Sequence, residues 1–428
     1  MSIEITITFI LLLIFLFMKV PVFISIMASS AVYFFMTPAV NAQILAQKFL
    51  TGTENVSLLA IPFFIGAGVF MNYSTITARI MDFCSVVTGR MVGGLAQVNV
   101  LLSTLMGGLS GSNLADAAME AKLLVPEMER RGYSREFSSV VTAVSSLITP
   151  LIPPGLGMIL YGTIAGLSIG RLFVSGIGIG LMLCAATMLL VHFISKRRNY
   201  ERIRTTPITA KEVWTALKGA ALPLCLPIVI IGGIRVGIFT AIEAGAVACA
   251  YALILGFVYR ALDWKTILKG LRETVLSTAT VMVIVGAATV FAWILTKERI
   301  PQILAEAMTA AVTNKYVFLL LVNVFLLVVG MFVEGSAAMI VLVPLMAPIA
   351  AQFGVDPIQF AMIVIFNISI GTLTPPLGTV MFVVCGVTKC PTAKFIKECL
   401  PFFALLLICL LLITFFPPLS TALVNLVY

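Results

Sequence analysis

Serine and threonine hydroxyls fall beside proline pairs at two places in an otherwise apolar chain. The first is SSLITPLIPPG, residues 145–155, with Ser145, Ser146 and Thr149; the second is NISIGTLTPPLG, residues 367–378, with Ser369, Thr372 and Thr374. Proline lacks an N–H and obstructs the helix ahead of it, so nearby carbonyls lose their intrahelical partners. Hydroxyls next to such carbonyls make a set of neutral oxygen ligands, which a hard monovalent cation can use without a buried formal charge. A Gly/Ser turn precedes each break: Ser110–Ser112 with Asn113, and Glu334–Ser336. Kinking alone would account for one such break, but recurrence beside a turn in both halves favours ligation. The candidate cation ligands are therefore Gly107, Ser110, Ser112, Ser145, Ser146 and Thr149, then Gly330, Glu334, Gly335, Gly371, Thr372 and Thr374. Candidate substrate contacts are Asn113, Asp116, Pro154, Gly155, Ser336, Pro376 and Gly378.

Asp116 has two readings. With Asn113 as the helix cap, its carboxylate would face the positive end of the helix dipole. Alternatively it belongs to a cation or substrate site, because intramembrane carboxylates are costly. Glu243 reads as structural, since Thr240-Ala-Ile-Glu243 is a capping box. No Lys or Arg lies at depth near the turns, so an anionic substrate would be held by helix N-termini, backbone N–H groups and sodium ions. One histidine and no paired carboxylates argue against an intramembrane enzyme.

The elements that must position these groups are membrane spans. Of 428 residues, 61% are hydrophobic and 11% charged, with mean hydropathy +1.13, which marks an all-α polytopic membrane protein. The first apolar run, Ile3–Met18, lacks a basic leader and a cleavage site and reads as a retained span. Further spans fall near 20–36, 56–72, 137–168, 172–194, 220–236, 240–259, 273–296, 358–386 and 400–416. Residues 94–109 with 112–126, and 316–333 with 336–352, read instead as pairs of arms of about 15 residues, reaching about 22 Å, short of the hydrocarbon core. They are predicted re-entrant hairpins. Residues 299–314 place Ile300, Ile303, Leu304 and Met308 on one face of a surface helix.

The net charge of +9 could point to nucleic acid, but its placement excludes that reading. Twenty of the 27 Lys/Arg fall on one side of the predicted membrane and six on the other, with Lys122 in a hairpin. The basic linker 195–218 sets the cytoplasmic side, and both termini come out opposite. Five spans plus a hairpin in each half invert the second copy, so the chain is predicted to be two inverted-topology repeats. The eight cysteines are scattered without a CxxC pair and read as small buried hydrophobes.

Three separated motifs carry a family resemblance: GGLSGSNLAD…VPEMERRGY…VTAVSSLITPLIPPG, GGIRVGIFTAIEAGA (232–246) and GVDPIQF…NISIGTLTPPLG. From about Ile61 to Phe416 the chain resembles the large membrane subunit of tripartite ATP-independent periplasmic (TRAP) transporters, most of all the sialic-acid members. It departs from that pattern at Gly155, Gly157 and Glu334-Gly335. The resemblance implies a sodium-coupled elevator in the bacterial inner membrane, a four-helix small membrane partner and a periplasmic binding protein. It implies scaffold segments at 1–93 and 196–315 and transport segments at 94–195 and 316–428, with Arg235, Lys297 and Arg299 as docking candidates or lipid-interface anchors. A C4-dicarboxylate member and a stand-alone sodium–dicarboxylate symporter are the alternatives. The inverted repeat predicts that single cysteines at Arg131 and Gly354, in a background without native cysteines, label from the cytoplasmic and periplasmic sides respectively. Labelling of both from one side overturns the inversion.

Overall fold

The structure is a computed structural model and describes residues 3–428 apart from 19, 39, 75, 313, 334 and 377. Among these residues it is all helix. The opening helices are α1 (Ile3–Phe17), α2 (Val22–Met36), α3 (Gln43–Thr53), α4 (Ala60–Tyr73) and α5 (Ile76–Thr88). A helical pair, α6 (Gly94–Ser110) and α7 (Asn113–Arg130), precedes the broken pair α8 (Arg135–Ser145) and α9 (Leu156–Ala165), and α10 (Ile169–Arg197) ends the first half. Then come α11 (Ala210–Val236), α12 (Ala241–Val258), α13 (Trp264–Lys297) and α14 (Ile300–Ala311). The second pair is α15 (Lys315–Phe332) and α16 (Gly335–Gln352), followed by the broken pair α17 (Pro357–Gly371) and α18 (Thr379–Thr388), then α19 (Thr392–Phe415) and α20 (Pro418–Val427).

Several helices that begin in connecting loops are closed by side chains. Ser134, Ser168, Asp263, Asn314 and Asp356 cap α8, α10, α13, α15 and α17, and Thr209 and Thr240 form capping boxes with Glu212 and Glu243. Each cap satisfies an amide that the first helical turn leaves without a partner. Among the described residues, seven helices are long and apolar enough to cross a membrane, or up to nine spans if the α4/α5 and α8/α9 pairs each count as one. The chain is a multi-pass membrane protein.

Several expectations need correction. The predicted hairpin arms have 17 or 18 residues rather than about 15, and so run about 26–27 Å. The connection between halves is only 198–209, because α10 and α11 extend into it. It is also well anchored: Tyr200 stacks on Tyr133, Arg198 pairs with Glu398 at 2.7 Å, and the Arg204 amide donates to the Gly89 carbonyl at 3.1 Å. On α14 the buried residues are Ile300 and Ala305 with Met308 partly buried, whereas Ile303 and Leu304 are exposed. Six of the eight cysteines are buried, as small hydrophobes should be.

Packing crosses between the halves. α4 lies along α12, where Gly245 lets the backbone approach Phe63 and Phe64, and α13 packs against α2, α3 and α4. The arm α7 packs on α8 of its own half and on α18 of the other; α16 packs on α17 and, across, on α9. Buried amides tie each first arm to its broken helix at matching positions. Asn99 on α6 accepts from Ser145 at 3.2 Å, and Asn323 on α15 accepts from the Asn367 amide at 2.9 Å and donates to Thr414 at 2.9 Å. Gly330 and Gly371 let α15 and α17 touch: a Cβ on Gly371 would sit 2.5 Å from the Gly330 Cα.

A hydrogen bond between buried side chains in a membrane bundle is worth about 0.6 kcal/mol on average and up to about 1.7. The Asn323→Ala, Asn367→Ala double-mutant cycle should show coupling in the upper part of that range, because the pair is buried and directly hydrogen-bonded. Thermal or denaturant melting of the purified protein measures it, and additive single effects would mean that the two amides act independently.

Candidate functional site

Four helices start at one cavity of ≈ 180 Å³ near the centre of the molecule. Its lining includes Gly111, Ser112, Asn113, Leu156, Gly335, Ser336, Ser369, Thr372 and Thr379, the first residues of α7, α9, α16 and α18 among them. Helix N-termini present unpartnered amides and the positive end of the dipole, so their convergence favours a bound anion. α9 and α18 begin at Gly155 and Gly378 with no side-chain cap; the Leu156 amide meets the Gly111 carbonyl at 3.5 Å and the Val380 amide donates to the Thr372 carbonyl at 2.9 Å. None of the described lining residues carries a charge.

The breaks shape this cavity. After Ser145 the backbone tightens into i to i+3 hydrogen bonds through Thr149, and after Ile368 the same tightening runs through Thr374. The chain then turns at Pro153-Pro154 and Pro375-Pro376, both cis. Pro154 and Gly155 are buried, and Pro376 is exposed. A Cβ at Gly155 would lie 2.1 Å from the Pro150 carbonyl oxygen, so only glycine permits the loop to close there. Gly111, at φ +63, turns the tip between α6 and α7, and its carbonyl accepts from the Leu156 amide at 3.5 Å.

The predicted hydroxyls donate backwards. Ser146, Ser369, Thr372 and Thr374 give their protons to carbonyls three or four residues earlier, at 2.7–2.9 Å, and Ser145 has Thr142 within 3.1 Å. A hydroxyl whose proton is so engaged still offers oxygen lone pairs, which is what a cation needs. Gly107 lies against Thr149 as Gly330 lies against Gly371. Asn113 spans the halves, donating to Thr372 Oγ1 at 3.4 Å. Of the predicted residues, Ser112, Asn113, Gly335, Ser336 and Thr372 line the cavity, whereas Gly107, Ser145, Ser146, Thr149, Gly330, Gly371, Thr374, Asp116, Pro154, Gly155, Pro376 and Gly378 are not among its lining residues. Glu334 and the Ser110 side chain lie outside the described residues.

Two carboxylates are placed differently from expectation. Ser112, rather than Asn113, caps α7 by accepting from the Ala115 amide. Asp116 is fully buried and accepts from Thr149 at 2.9 Å, which locks the arm to the break instead of merely facing the dipole. Glu120, one turn on, is equally buried and accepts from Ser103 at 2.6 Å. The chain therefore does hold a pair of buried carboxyl groups, and the DAAME spacing of four residues was the signal for it. Asn99, Ser103, Thr142, Asn323 and Asn367 also escaped sequence reasoning. Among the described residues no three His, Cys, Asp or Glu side chains come together to hold a metal ion.

The docking candidates sit apart from the cavity. Arg235 is exposed on the last turn of α11; Lys297 lies 3.1 Å from the Tyr33 hydroxyl and over the Trp293 ring; Arg299, at φ +53, turns the chain into α14.

The chain matches the family described as "Tripartite ATP-independent periplasmic transporter, DctM component" over residues 9–419. It is 39% identical over 403 residues to the sialic acid TRAP transporter large permease protein SiaM of Vibrio cholerae, covering 94% of each chain. It is 36% identical to the sialic acid TRAP transporter permease protein SiaT of Haemophilus influenzae, covering 97% of this chain and 67% of that one. Relatives 35% and 36% identical are named for other acids: 2,3-diketo-L-gulonate in Escherichia coli and C4-dicarboxylate in Pseudomonas aeruginosa. In fold it is similar to the YdaH transporter of Alcanivorax borkumensis, with a TM-score of 0.61 at 16% identity, covering 91% and 89% of the two chains. These relatives are permease subunits and not enzymes. With a family match from residue 9 to 419 and near-complete coverage of a relative 39% identical, this chain belongs to the DctM family of TRAP transporter large permease proteins.

Proposed function

We propose that this subunit carries out sodium-coupled uptake of an organic acid, with sialic acid (N-acetylneuraminate) as the favoured substrate. The observation that carries the reading is the convergence of four helix starts, two without side-chain caps, on a cavity with no described charged side chain. The amides would take the carboxylate, as they take anions elsewhere. Carbonyl and hydroxyl oxygens of the breaks, at Ser145, Ser146, Thr149, Gly371, Thr372 and Thr374, would take the sodium ions, so that substrate and ion stabilise each other. The sialic-acid names of the relatives SiaM and SiaT support the substrate. The small size of the cavity, ≈ 180 Å³, favours a second reading in which the acid is a four-carbon diacid.

In this reading the chain is an inverted repeat in the inner membrane, both termini periplasmic. The paired arms act as re-entrant hairpins and move with the breaks as an elevator, residues 94–195 with 316–428, against a scaffold of 1–93 with 196–315. A small four-helix membrane subunit would cover the scaffold flank; the remaining third of SiaT's length leaves room for such a unit. A periplasmic binding protein would supply substrate capture, docking near Lys297 and Arg299.

Two measurements test this. In proteoliposomes with both membrane subunits, sodium-driven uptake should appear only when the binding protein is added, and robust uptake of free substrate would favour a stand-alone symporter. Thr149→Val and Thr372→Val should each weaken apparent sodium affinity about tenfold, for a ligand worth about 1–3 kcal/mol. Unchanged sodium titrations at normal expression would reduce both residues to helix kinks. Asp116→Asn isolates the charge, and a sodium titration shifted by this variant would assign the carboxylate to the ion site rather than to packing.

A further inference from the structure

A second cavity, of ≈ 490 Å³, opens on the outside of the bundle between α6, α10, α11 and α20, behind the first break. Ile152 and Pro153 of the break form its inner wall, with Pro227 and Ile231 of α11 opposite. Apart from Thr104 and Arg235, its lining is uncharged and almost wholly aliphatic. Arg235 closes one end, on the last turn of α11. The start of α10 meets the end of α11 there: a Cβ on Gly170 would lie 2.9 Å from Ile234 and 2.6 Å from the Tyr428 hydroxyl. Arg171, next to Gly170 in sequence, is a second cation near this contact but not itself a lining residue, its guanidinium 5.7 Å from the Tyr428 ring centroid. Neither arginine enters any ion pair found among the described residues.

We propose that this groove is a binding site for one anionic phospholipid, its acyl chains against Ile152, Pro153 and Ile231 and its phosphate at Arg235 and Arg171. The charge pattern selects the occupant. An apolar slot with unpaired cations at one end, near the termini of two spanning helices, complements a molecule with long aliphatic tails and a single negative head. The position has a mechanical meaning too. The lipid tails would press on the outer side of the same break whose inner side lines the central cavity. Nothing in this proposal depends on the identity of the transported acid.

The test uses the purified membrane complex in nanodiscs made from equal parts phosphatidylglycerol and phosphatidylethanolamine, with retained lipid counted by mass spectrometry after extraction. Phosphatidylglycerol should be enriched on the wild type. Arg235→Gln should lower that enrichment about fivefold, the effect of one interfacial charge, and Arg235→Lys should keep most of it. Gly232→Leu should displace the lipid whatever its head group, because a Cβ there meets only open space and leucine favours the helix. The thermal midpoint should be higher in phosphatidylglycerol than in phosphatidylethanolamine for the wild type, and equal in both for Gly232→Leu. Equal retention of the two lipids by the wild type overturns the proposal, as does enrichment that both variants leave intact. Crosslinking of Gly232→Cys to the small membrane subunit would also overturn it, by assigning the groove to protein.

Discussion

Backbone amides and carbonyls at membrane depth must find partners within the protein, and the whole arrangement follows from that constraint. Four helices break or turn near the centre, which exposes four sets of helix ends where lipid could not satisfy them. The solution is to bring the ends together. Second arms start at the cavity, through Asn113, Leu156, Gly335 and Thr379, while the preceding arms end around it. Positive and negative helix termini are thereby sorted around one space, and the polarity that ligands need arises from backbone geometry rather than from charged side chains.

The two halves share the order of a paired arm followed by a broken helix and differ in the chemistry around it. Asn99 with Ser145 and Asn323 with Asn367 fix the first arms to the broken helices in the same way. Behind the first tip, however, stand Asp116 with Thr149 and Glu120 with Ser103, all buried. The corresponding part of α16 is apolar, with Ala338, Met339 and Ile340. Among the described residues, the buried carboxylates near the cavity, Asp116 and Glu120, both belong to the first half.

How much of this was legible in the sequence depended on how each residue signals its role. The breaks were legible because Pro and Gly change backbone geometry by their own covalent structure. The capping boxes at Thr209 and Thr240 were legible in principle for the same reason, and Thr240 with Glu243 forms as read. Ser112 was missed as a cap because Ser and Asn are adjacent and equally suited, so composition could not choose the register. Glu120 was missed because its burial depends on Ser103 from another helix. The face of α14 was misread for a reason peculiar to membranes. In lipid, apolar side chains such as Ile303 and Leu304 gain nothing by turning towards protein, so apolar spacing no longer marks the packed face. Helices α3, α5 and α20 were passed over because none is long enough to span alone.

The crosswise packing of α7 on α18 and of α16 on α9 carries a consequence for biogenesis. A ribosome delivers α7 and α9 to the membrane some two hundred residues before their partners exist. Until then one face of each lies uncovered, although Asp116 and Glu120 already have Thr149 and Ser103 within their own half. The half-made protein is thus incompletely packed, and its central cavity comes into being only when α16 and α18 slot in from the later half. The walls of the site are completed late in synthesis, and a chain truncated after α15 carries Asp116 and Glu120 but lacks the α16 and α18 residues that line the cavity.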